Sequence, residues 1–547
     1  MPLPTALDRA ACYRALSARD PRFDGVFFVG VTSTRIYCRP VCPAKTPQQA
    51  NCKFFSHAAA AERYGFRPCL RCRPELAPGH APVDATALLA NNAARAIAAG
   101  ALNGASVESL AASLAVTARH LRRAVVAHLG VSPVELATTH RLLLAKRLLH
   151  ETSLPVGQVA FAAGFESLRR FNAAFKSHYR LAPAALRQEA QTAPSFPNTR
   201  RADKVVSPNT ATTSPSSADM ITLTLEYRAP MDWDTTLSWI AARAAPSAEW
   251  VGDGRYAATM ALPAHHDATR EPQMVYGHVE VAPRPGHASV SARRTRSSSH
   301  AVAPARGAVV AHISASLLPV LMPVLAKLRD LFDLDANPDA IAQHLVRVGV
   351  AASVESFGGV RIPGTLDGFA LAVRAIVGQQ VSVRGATTIM SRLVERFGEP
   401  YVGTHPSLTR LMPTAACVAN ASTADIATLG LPGARADAIR VLAREVASGA
   451  LHLTPGGDIA ETMRALIALP GIGDWTAQYI AMRALRSPDA FPANDLILRR
   501  AAGNLTAAQL RNRAESWRPW RAYAAMHLWR TGALAADTAT PPTSTDQ

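Results

Sequence analysis

The spacing of hydrophobic residues along the chain changes several times, and each change marks a different kind of predicted structure. Over residues 84–187 the apolar residues recur with helical spacing, which predicts a group of packed helices. Residues 221–227 alternate apolar and polar side chains, which predicts a half-buried strand, and strand-like segments recur to about His312. From Leu317 onward the pattern is helical again. We therefore expect a helical domain, an α+β region and a second helical domain, in this order.

Segments rich in small and polar residues separate these regions. Residues 191–219 contain many Ser, Thr, Pro and Asn residues and almost no large apolar ones, so we expect a flexible linker. Residues 292–307, rich in Arg and Ser, are expected to form a mobile loop. The predicted divisions are a cysteine-dependent domain over 1–78, a helical domain over 84–190, the linker over 191–219, an α+β subdomain over 220–312, a helical domain over 313–535 and a disordered tail over 536–547.

Composition narrows the partners of these domains. A chain of 547 residues is long enough for three or four domains. Its formal net charge of +18 favours nucleic acid over a membrane surface, because Lys and Arg release counterions when they neutralise phosphates. A high-GC genome, which raises Ala and Arg together, is an alternative source of this charge. No signal peptide or membrane-spanning apolar run is visible, so we expect a cytoplasmic, nucleoid-associated protein whose cysteines are thiols or metal ligands.

Six of the seven cysteines lie before residue 75. Four of them form two chelating pairs, Cys38 with Cys42 and Cys69 with Cys72. Two short loops with this spacing can close a tetrahedral four-thiolate site, so the sequence predicts one zinc ion. A purely structural zinc site, in a domain too small to fold alone, fits the spacing equally well. The other two, Cys12 and Cys52, lack a chelating neighbour and are predicted to be small buried side chains.

The residues around the four cysteines resemble a known family. Phe23-Asp24-Gly25, residues 36–42 and residues 65–74 are similar to the Ada-type methyl-acceptor domain of bacterial alkylation-response regulators. The resemblance implies that Cys38 irreversibly accepts a methyl group from a methylphosphotriester in DNA. Zinc would keep the thiolate nucleophilic, and methylation would remove one negative charge, so we expect methylation to strengthen DNA binding. The arginines that are candidates to attract DNA phosphates are Arg35, Arg39, Arg67, Arg71 and Arg73.

Two helix-turn-helix candidates follow. The first joins residues 107–114 to a recognition helix over 117–128, and the second joins residues 156–165, where Gly164 suits a left-handed turn, to a recognition helix over 167–179. The pair resembles the AraC-type DNA-binding domain, which implies promoter DNA and RNA polymerase as partners. Because Arg and Asn make bidentate contacts in the major groove, the candidate DNA-binding residues are Arg119, Arg122, Arg169, Arg170 and Asn172. The alternative is a solvated charged face on an ordinary helical bundle.

The most informative motif is Leu469-Pro470-Gly471-Ile472-Gly473, which precedes a helical stretch over residues 474–485. Gly471 and Gly473 have no Cβ, so a tight hairpin between two helices can present backbone N–H groups to a DNA phosphate. Asp495 follows in a proline-containing turn, where its carboxylate would face a nucleotide held by the hairpin. The pattern resembles the helix-hairpin-helix DNA glycosylases, although such hairpins also occur in proteins that only bind DNA.

From about residue 220 to 535 the chain resembles AlkA-type 3-methyladenine DNA glycosylases, including a small antiparallel sheet ahead of the helices. The likeness is carried by residues 331–334, 375–383, 469–479 and 517–529. It implies that Asp495 is the catalytic carboxylate and that Gln380 fills the gap left by a flipped base. It also implies a base pocket formed by Trp475, Tyr479 and Trp529, for which core packing of the tryptophans is the alternative. Gln380 departs from the apolar residue more usual in this family, and Asn494 stands where a second aspartate can occur.

Residue types that the C-terminal half lacks restrict its chemistry. Lys327 is the last lysine, so no lysine near the hairpin could form a Schiff base with the sugar, which predicts a monofunctional glycosylase. Cys417 is the only cysteine in this half of the sequence, which excludes a four-cysteine iron–sulfur cluster there, and the glycosylase is expected to need no cofactor. An ionised Asp495 would stabilise the oxocarbenium-like sugar while water completes hydrolysis. A Pro-Cys-His-Arg motif, used by the related O6-alkylguanine methyltransferases, is absent, so direct reversal of O6-methylguanine is not expected.

The sequence as a whole predicts a multidomain fold, with a small α+β zinc domain, an all-α double helix-turn-helix domain, an α+β subdomain and an all-α helix-hairpin-helix domain. The predicted function is an adaptive response to DNA alkylation. Methylation of Cys38 would switch on transcription, while Asp495 would serve the excision of alkylated bases such as 3-methyladenine from double-stranded DNA. Two alternatives stay open. The C-terminal half could only bind damaged DNA, or the zinc domain could belong to a regulator without methyl transfer.

Overall fold

The structure, a computed structural model, describes residues 9–19, 23–24, 27–55, 58–74, 85–192, 220–264, 273–285 and 306–538. The chain divides into two compact units, Met1–Ala96 with Val107–Leu136, and Ile97–Ser106 with Ala137–Gln547. Most of the predicted linker and of the predicted arginine-rich loop lies outside the described residues. Among the described helices, none combines the length and apolar character needed to cross a membrane.

The first unit begins with a small α+β domain. Its elements are α1 (Arg9–Ser17), β1 (Phe28–Val31), β2 (Ile36–Cys38), β3 (Cys52–Phe55), α2 (Ala58–Arg63) and β4 (Arg67–Pro68). The strands form a sheet in the order β3-β1-β2-β4, in which β2 and β4 run parallel and the other pairs are antiparallel. Cys12 and Cys52 are completely buried. The prediction that these two cysteines are core residues is confirmed.

A helical region follows. Its elements are α3 (Ala85–Ala98), α4 (Val107–Ser113), α5 (Ala118–Leu129), α6 (Pro133–Glu151), α7 (Val156–Ala162), α8 (Leu168–Tyr179) and α9 (Pro183–Thr192). The predicted recognition helices correspond to α5 and α8. Thr117 begins α5 by accepting a hydrogen bond from the His120 N–H at 3.3 Å. Gly164 has φ of +89°, so the left-handed turn predicted before α8 is present.

The sheet of the second unit is antiparallel and ordered β5-β9-β8-β7-β6, with β5 at one edge. Its elements are β5 (Met220–Arg228), α10 (Trp233–Ala241), β6 (Glu249–Gly252), β7 (Arg255–Pro263), β8 (Met274–Pro283) and β9 (Arg306–Ser314). Ile221, Leu223 and Leu225 are buried and alternate with more exposed residues. The half-buried strand predicted from the alternating pattern is therefore confirmed.

A short 3-10 segment, Ala315–Val320, leads from this sheet into helices. They are α11 (Leu321–Leu331), α12 (Pro338–Arg347), α13 (Val354–Phe357), α14 (Gly368–Val377), α15 (Val383–Phe397), α16 (Ala415–Asn420), α17 (Thr423–Ala427), α18 (Gly433–Ala447), α19 (Ile459–Ala468), α20 (Asp474–Arg483), α21 (Leu496–Ala501), α22 (Ala507–Ala514) and α23 (Arg521–Thr538). Residues 536–538, predicted to begin a disordered tail, belong instead to α23, because Ala533, Ala535 and Ala536 favour helix.

Candidate active site and metal centre

The hairpin motif connects α19 to α20. Gly471 has φ of +77°, the left-handed region in which glycine is favoured, and a Cβ there would lie 2.9 Å from the Cβ of Ala438. Gly473 has extended backbone, and an added Cβ would meet no described atom within 4 Å. Gly471 is therefore required by the turn and its packing, whereas Gly473 leaves open space beside the N terminus of α20. A phosphate could approach the backbone N–H groups there.

The carboxylate of Asp495 lies where three helices meet. Trp475 of α20 donates its Nε1–H to Oδ2 at 2.9 Å, and Trp529 of α23 donates its Nε1–H to Oδ1 at 3.0 Å. The backbone N–H of Leu498 also donates to Oδ1, at 2.9 Å, so Asp495 caps α21. These partners are all N–H donors, and a helix N terminus carries a positive partial charge. The arrangement suits a carboxylate that acts as a fixed anion.

The aromatic residues predicted to form a base pocket lie beside this carboxylate. Trp475 stacks on Tyr479, with ring centroids 5.4 Å apart and planes inclined by 10°, and Tyr479 meets Trp529 edge to face at 6.4 Å. Trp239 of α10 adds a fourth ring, 5.5 Å from Trp529. Trp239 was not among the residues predicted from the sequence. The available signal was Trp239 followed four residues later by Arg243, a spacing that brings two side chains together on one helical face.

Arginine side chains surround Tyr479. Arg483 donates from Nη1 to the Tyr479 hydroxyl at 2.6 Å. Burial favours a raised pKa for Tyr479, but Arg483, Arg243 and Arg374 outweigh it and hold the pKa below its ordinary value. The guanidinium of Arg243 also lies 3.5 Å from the centre of the Trp239 ring, a cation–π contact. The aromatic cluster therefore has positive charge at the phenolic end of Tyr479, and its members Tyr479 and Trp529 are buried in the helical core.

Gln380 lies in the loop between α14 and α15, with an exposed side chain. Its φ of +56° is uncommon for a residue other than glycine. The neighbouring Gln379, which was not predicted as a site residue, donates from Nε2 to the Gly471 carbonyl at 2.9 Å and to the Thr476 hydroxyl at 3.0 Å. These bonds hold the loop against the hairpin. The structure thus brings the predicted wedge residue to the same region as the predicted phosphate-binding turn.

The four cysteines predicted as zinc ligands come together in the first unit. The Sγ atoms of Cys38, Cys42, Cys69 and Cys72 lie within 4.8 Å of one another, and all four residues are buried. The Cys42 and Cys69 sulfurs are 4.0 Å apart. Four sulfurs bound tetrahedrally at about 2.3 Å from zinc are separated by roughly 3.8 Å. The size and chemistry of this cage therefore fit zinc.

The four thiols perturb one another strongly. Hydrogen bonds with Cys42 and Cys72, together with burial, raise the pKa of Cys38. Hydrogen bonds with Cys38 and Cys72 lower the pKa of Cys42 to about 2. Without a cation, repulsion between neighbouring thiolates prevents all four thiols from being deprotonated together. A divalent cation that prefers sulfur ligands would relieve this repulsion, which agrees with the size of the cage.

The arginines around the cage have different environments. Arg39 is completely buried, and its Nε donates to Asp24 Oδ1 at 2.8 Å. The prediction that Arg39 attracts DNA phosphates is wrong, because its charge is neutralised inside the fold. The other predicted arginines are exposed, namely Arg35, Arg67, Arg71 and Arg73.

The candidate DNA-binding side chains of the helix-turn-helix units lie at the surface. Arg119 and Arg122 are exposed on α5, where Arg122 pairs with Glu108 of α4 at 2.7 Å. DNA would compete with Glu108 for this guanidinium. On α8 the exposed candidates are Arg169, Arg170 and Asn172. Both sets are accessible to a duplex.

Family profiles match four segments of the chain. They are described as the metal binding domain of Ada (residues 11–75), a helix-turn-helix domain (residues 110–189), the AlkA N-terminal domain (residues 222–367) and the HhH-GPD superfamily base excision DNA repair protein (residues 373–519). The predicted multidomain fold is confirmed by these matches together with the observed α+β and helical regions.

Individual relatives cover the whole chain or its parts. The probable bifunctional transcriptional activator/DNA repair enzyme AlkA of Mycobacterium tuberculosis is 37% identical over 529 residues, which is 96% of each chain. DNA-3-methyladenine glycosylase 2 of Escherichia coli is 34% identical over 58% of this chain and 99% of its own. The bifunctional transcriptional activator/DNA repair enzyme Ada of E. coli is 45% identical over 12% of this chain and 18% of its own. The chain therefore belongs to the family of bifunctional proteins that join an Ada-type activator to an AlkA-type DNA repair enzyme.

Proposed function

We propose that this chain answers DNA alkylation in two ways. Its C-terminal half excises alkylated bases such as 3-methyladenine from double-stranded DNA, and its N-terminal half accepts methyl groups and activates transcription. The observation that carries the first part is the carboxylate of Asp495, held by Trp475 and Trp529 beside a cluster of aromatic rings. Hydrolysis of an N-glycosidic bond needs a fixed anion at the sugar and a pocket for the leaving base.

The lesion must leave the base stack before its bond can be cleaved. In the proposal, backbone N–H groups near Gly471 and Gly473 hold a DNA phosphate, and Gln380 enters the gap in the duplex. The flipped base lies against the aromatic pocket, where cation–π attraction of about 0.5 to 2 kcal/mol favours a positively charged alkylated purine. The guanidinium groups around Tyr479 oppose this attraction. The net preference for a charged base is therefore modest, so we expect a broad range of alkylated bases to be excised.

For cleavage of the N-glycosidic bond, the protein needs to supply little more than a negative charge held close to the sugar. The base leaves with the bonding electrons, positive charge develops on the sugar, and Asp495 stabilises that charge until water adds to C1′ and loses a proton to solvent. Lys327, the last lysine, donates to the Leu366 carbonyl at 2.6 Å. No later lysine exists to form a Schiff base, so the reaction ends at an abasic site and the glycosylase is monofunctional. No cofactor takes part in these steps.

In the N-terminal half, Cys38 is the proposed methyl acceptor. A sulfur–carbon bond forms as the carbon–oxygen bond of the methylphosphotriester breaks, and the phosphate leaves as a diester anion. The four cysteines would hold zinc, which would keep the sulfur electron-rich. Cys38 and Cys69 each retain 8% exposure whereas Cys72 has none, so exposure argues against Cys72, and the choice of Cys38 rests on the resemblance to the methyl-acceptor family. Loss of one negative charge then strengthens the binding of α5 and α8 to promoter DNA. RNA polymerase is recruited to that promoter.

Release of free 3-methyladenine from methylated duplex DNA tests the glycosylase. The parent protein is compared with Asp495→Asn and with the control Asp474→Asn. The control removes the charge of another carboxylate of this region, whose oxygens accept hydrogen bonds from Gln478 and Asn494. Release by the parent and the control, with loss in Asp495→Asn, supports the proposal. Equal release by all three contradicts the role of Asp495. No release from any of them, with DNA binding intact, favours a regulator whose C-terminal half only binds damaged DNA.

Transfer of a labelled methyl group from methylphosphotriester DNA tests the N-terminal half. We expect label on Cys38, no label in Cys38→Ser, and full label in the control Cys52→Ala, because Cys52 shares the small core of the cage but is not one of its four clustered ligands. A zinc-loaded parent protein that takes up no label contradicts methyl transfer. The zinc site is then structural.

A further inference from the structure

The second helix-turn-helix unit and the α+β subdomain of the glycosylase share a hydrophobic core. Both belong to the compact unit formed by Ile97–Ser106 and Ala137–Gln547. One continuous apolar cluster contains Leu148 of α6, Val159 of α7 and Phe171 of α8 together with Leu223 of β5 and Val324 of α11. Domains joined only through a linker would each have a separate core. We therefore expect these two to behave as one body.

Helix α6 covers the open edge of the sheet. An edge strand such as β5 leaves alternate backbone groups without a neighbouring strand. The Thr224 N–H donates to Glu151 Oε2 at 2.7 Å, and the Arg147 guanidinium donates to the Thr224 carbonyl oxygen. Arg147 and Glu151 also pair with each other at 3.0 Å. One turn of α6 thus provides hydrogen-bond partners for both the N–H and the carbonyl group of Thr224.

A second contact joins the segment before α4 to α11. Gly100 has φ of +90°, and a Cβ there would lie 3.1 Å from the Cβ of Met322. Asn103 donates from Nδ2 to the Met322 sulfur at 3.1 Å. Arg141 of α6 donates to the Asn103 side-chain oxygen at 2.8 Å, which fixes its orientation. The contact therefore involves a segment that is itself anchored to α6.

This packing leaves the DNA-reading face of α8 uncovered. Phe171 and Phe175 are completely buried, whereas Arg169, Arg170 and Asn172 on the opposite face are exposed. The positive face therefore stays accessible while the apolar face contributes to the shared core.

We propose that the second helix-turn-helix unit is a fixed DNA-binding arm of the glycosylase. Through Arg169 and Arg170 it grips the phosphates of the duplex outside the lesion, so base excision on long DNA uses two DNA-binding surfaces of one body. This inference rests on the proposed glycosylase function. Joining two binding surfaces raises the effective affinity without any new contact at the lesion.

Kinetics on duplexes of different length test the arm. The variant is Arg169→Ala/Arg170→Ala, and the control is Arg255→Ala/Arg306→Ala, which removes two exposed arginines of the sheet that pair with Glu280 and Glu226. Base release is measured on random-sequence methylated duplexes of about 12 and about 40 base pairs, which exclude and include a second contact one helical turn or more away.

For the variant we expect the KM on the long duplex to rise roughly tenfold and the slope of log KM against log salt to fall by about two. The kcat, the KM on the short duplex and both constants of the control should not change. An unchanged KM of the variant on the long duplex overturns the proposal that the second helix-turn-helix unit is a DNA-binding arm. Absence of base release by the parent on both lengths overturns the proposed function instead, and the arm is then decided by direct binding of the parent and the variant to the long duplex, where equal affinities would overturn it.

Cleavage of the connecting segment tests the shared core without using activity. A protease site is placed within residues 193–219 of the full chain, and the cleaved protein is analysed by gel filtration. We expect the two fragments to elute together, and to separate when Arg147→Ala and Glu151→Ala are combined. The control His150→Ala changes an exposed residue of the same helix and should leave them together. Separation of the unsubstituted fragments overturns the proposal.

Discussion

Replacing Asp495 with Asn removes a negative charge at nearly constant shape, but it also changes one of the three hydrogen bonds. Asparagine can keep its oxygen at the Oδ1 position, where Leu498 and Trp529 donate. Its amide nitrogen then takes the place of Oδ2 and faces the Trp475 Nε1–H, which lies 2.9 Å away in the parent protein. Two donors then oppose each other. Loss of charge and displacement of Trp475 are therefore expected together.

The two effects differ in size and in what they change. A unit charge about 4 Å from the developing sugar cation, at an effective dielectric constant of about 20, contributes about 4 kcal/mol. This energy corresponds to roughly a thousandfold in rate. Leaving the indole N–H of Trp475 without an acceptor lowers the stability of the site by about 1 to 3 kcal/mol. It also displaces the ring. The electrostatic loss is expected to dominate the rate.

Single-turnover release of 3-methyladenine separates these effects, because it measures the chemical step on bound DNA. Trp475→Phe removes the opposing donor and keeps an aromatic ring, so Asp495→Asn is compared in the parent and in Trp475→Phe. We expect Asp495→Asn to lower the rate roughly a thousandfold in both backgrounds. Recovery of the double variant to the rate of Trp475→Phe alone would contradict a dominant electrostatic role of Asp495. Displacement of the indole, and not loss of charge, would then explain the single variant.

Three further predictions concern other parts of the chain. Gln380→Gly should raise the free energy of unfolding by about 1 kcal/mol in chemical denaturation, because it relieves the left-handed backbone, while it slows excision from a fully paired duplex. Cys42→Ser should abolish stoichiometric zinc by atomic absorption, whereas Cys52→Ala should retain one zinc per chain. Burial, with Arg530 nearby, lowers the pKa of His527 from 6.5 to about 4, so its contribution to stability is complete above pH 6.5 and is lost as the pH falls toward 4. The decrease in urea-unfolding free energy across that window should be smaller in His527→Phe by up to about 3 kcal/mol.

Features that depend on neighbouring residues were predictable from the sequence. The alternation of apolar and polar residues in β5 shows which face of the strand is buried. Gly164 indicates a turn because few other residues adopt its backbone conformation. The paired cysteines likewise have a spacing that few other chemistries require. In each case the signal and its structural consequence lie within a few residues of each other.

Features that depend on packing between distant segments were not predictable. Trp239 and Trp529 are 290 positions apart in sequence but lie 5.5 Å from each other. Arg39 stands in an arginine-rich motif that suggests DNA binding, yet its partner Asp24 neutralises it inside the fold. The edge of β5 is covered by α6, although α7, α8, α9 and the predicted linker separate them in sequence. Periodicity reports which face of an element is buried and not which element buries it.

The same limit explains why an aspartate after a hairpin could not distinguish an enzyme from a DNA clamp in the sequence alone. The distinguishing feature is that Trp475, Leu498 and Trp529 place their N–H groups around one carboxylate from three different helices. A clamp gains nothing from such an arrangement, because phosphate binding is served by the backbone N–H groups of the hairpin and a nearby anion would repel the phosphate. Three donors converging on an anion instead suit a site where positive charge develops during a reaction. The three N–H donors around Asp495, more than its position in the motif, therefore support the proposal that this residue is catalytic.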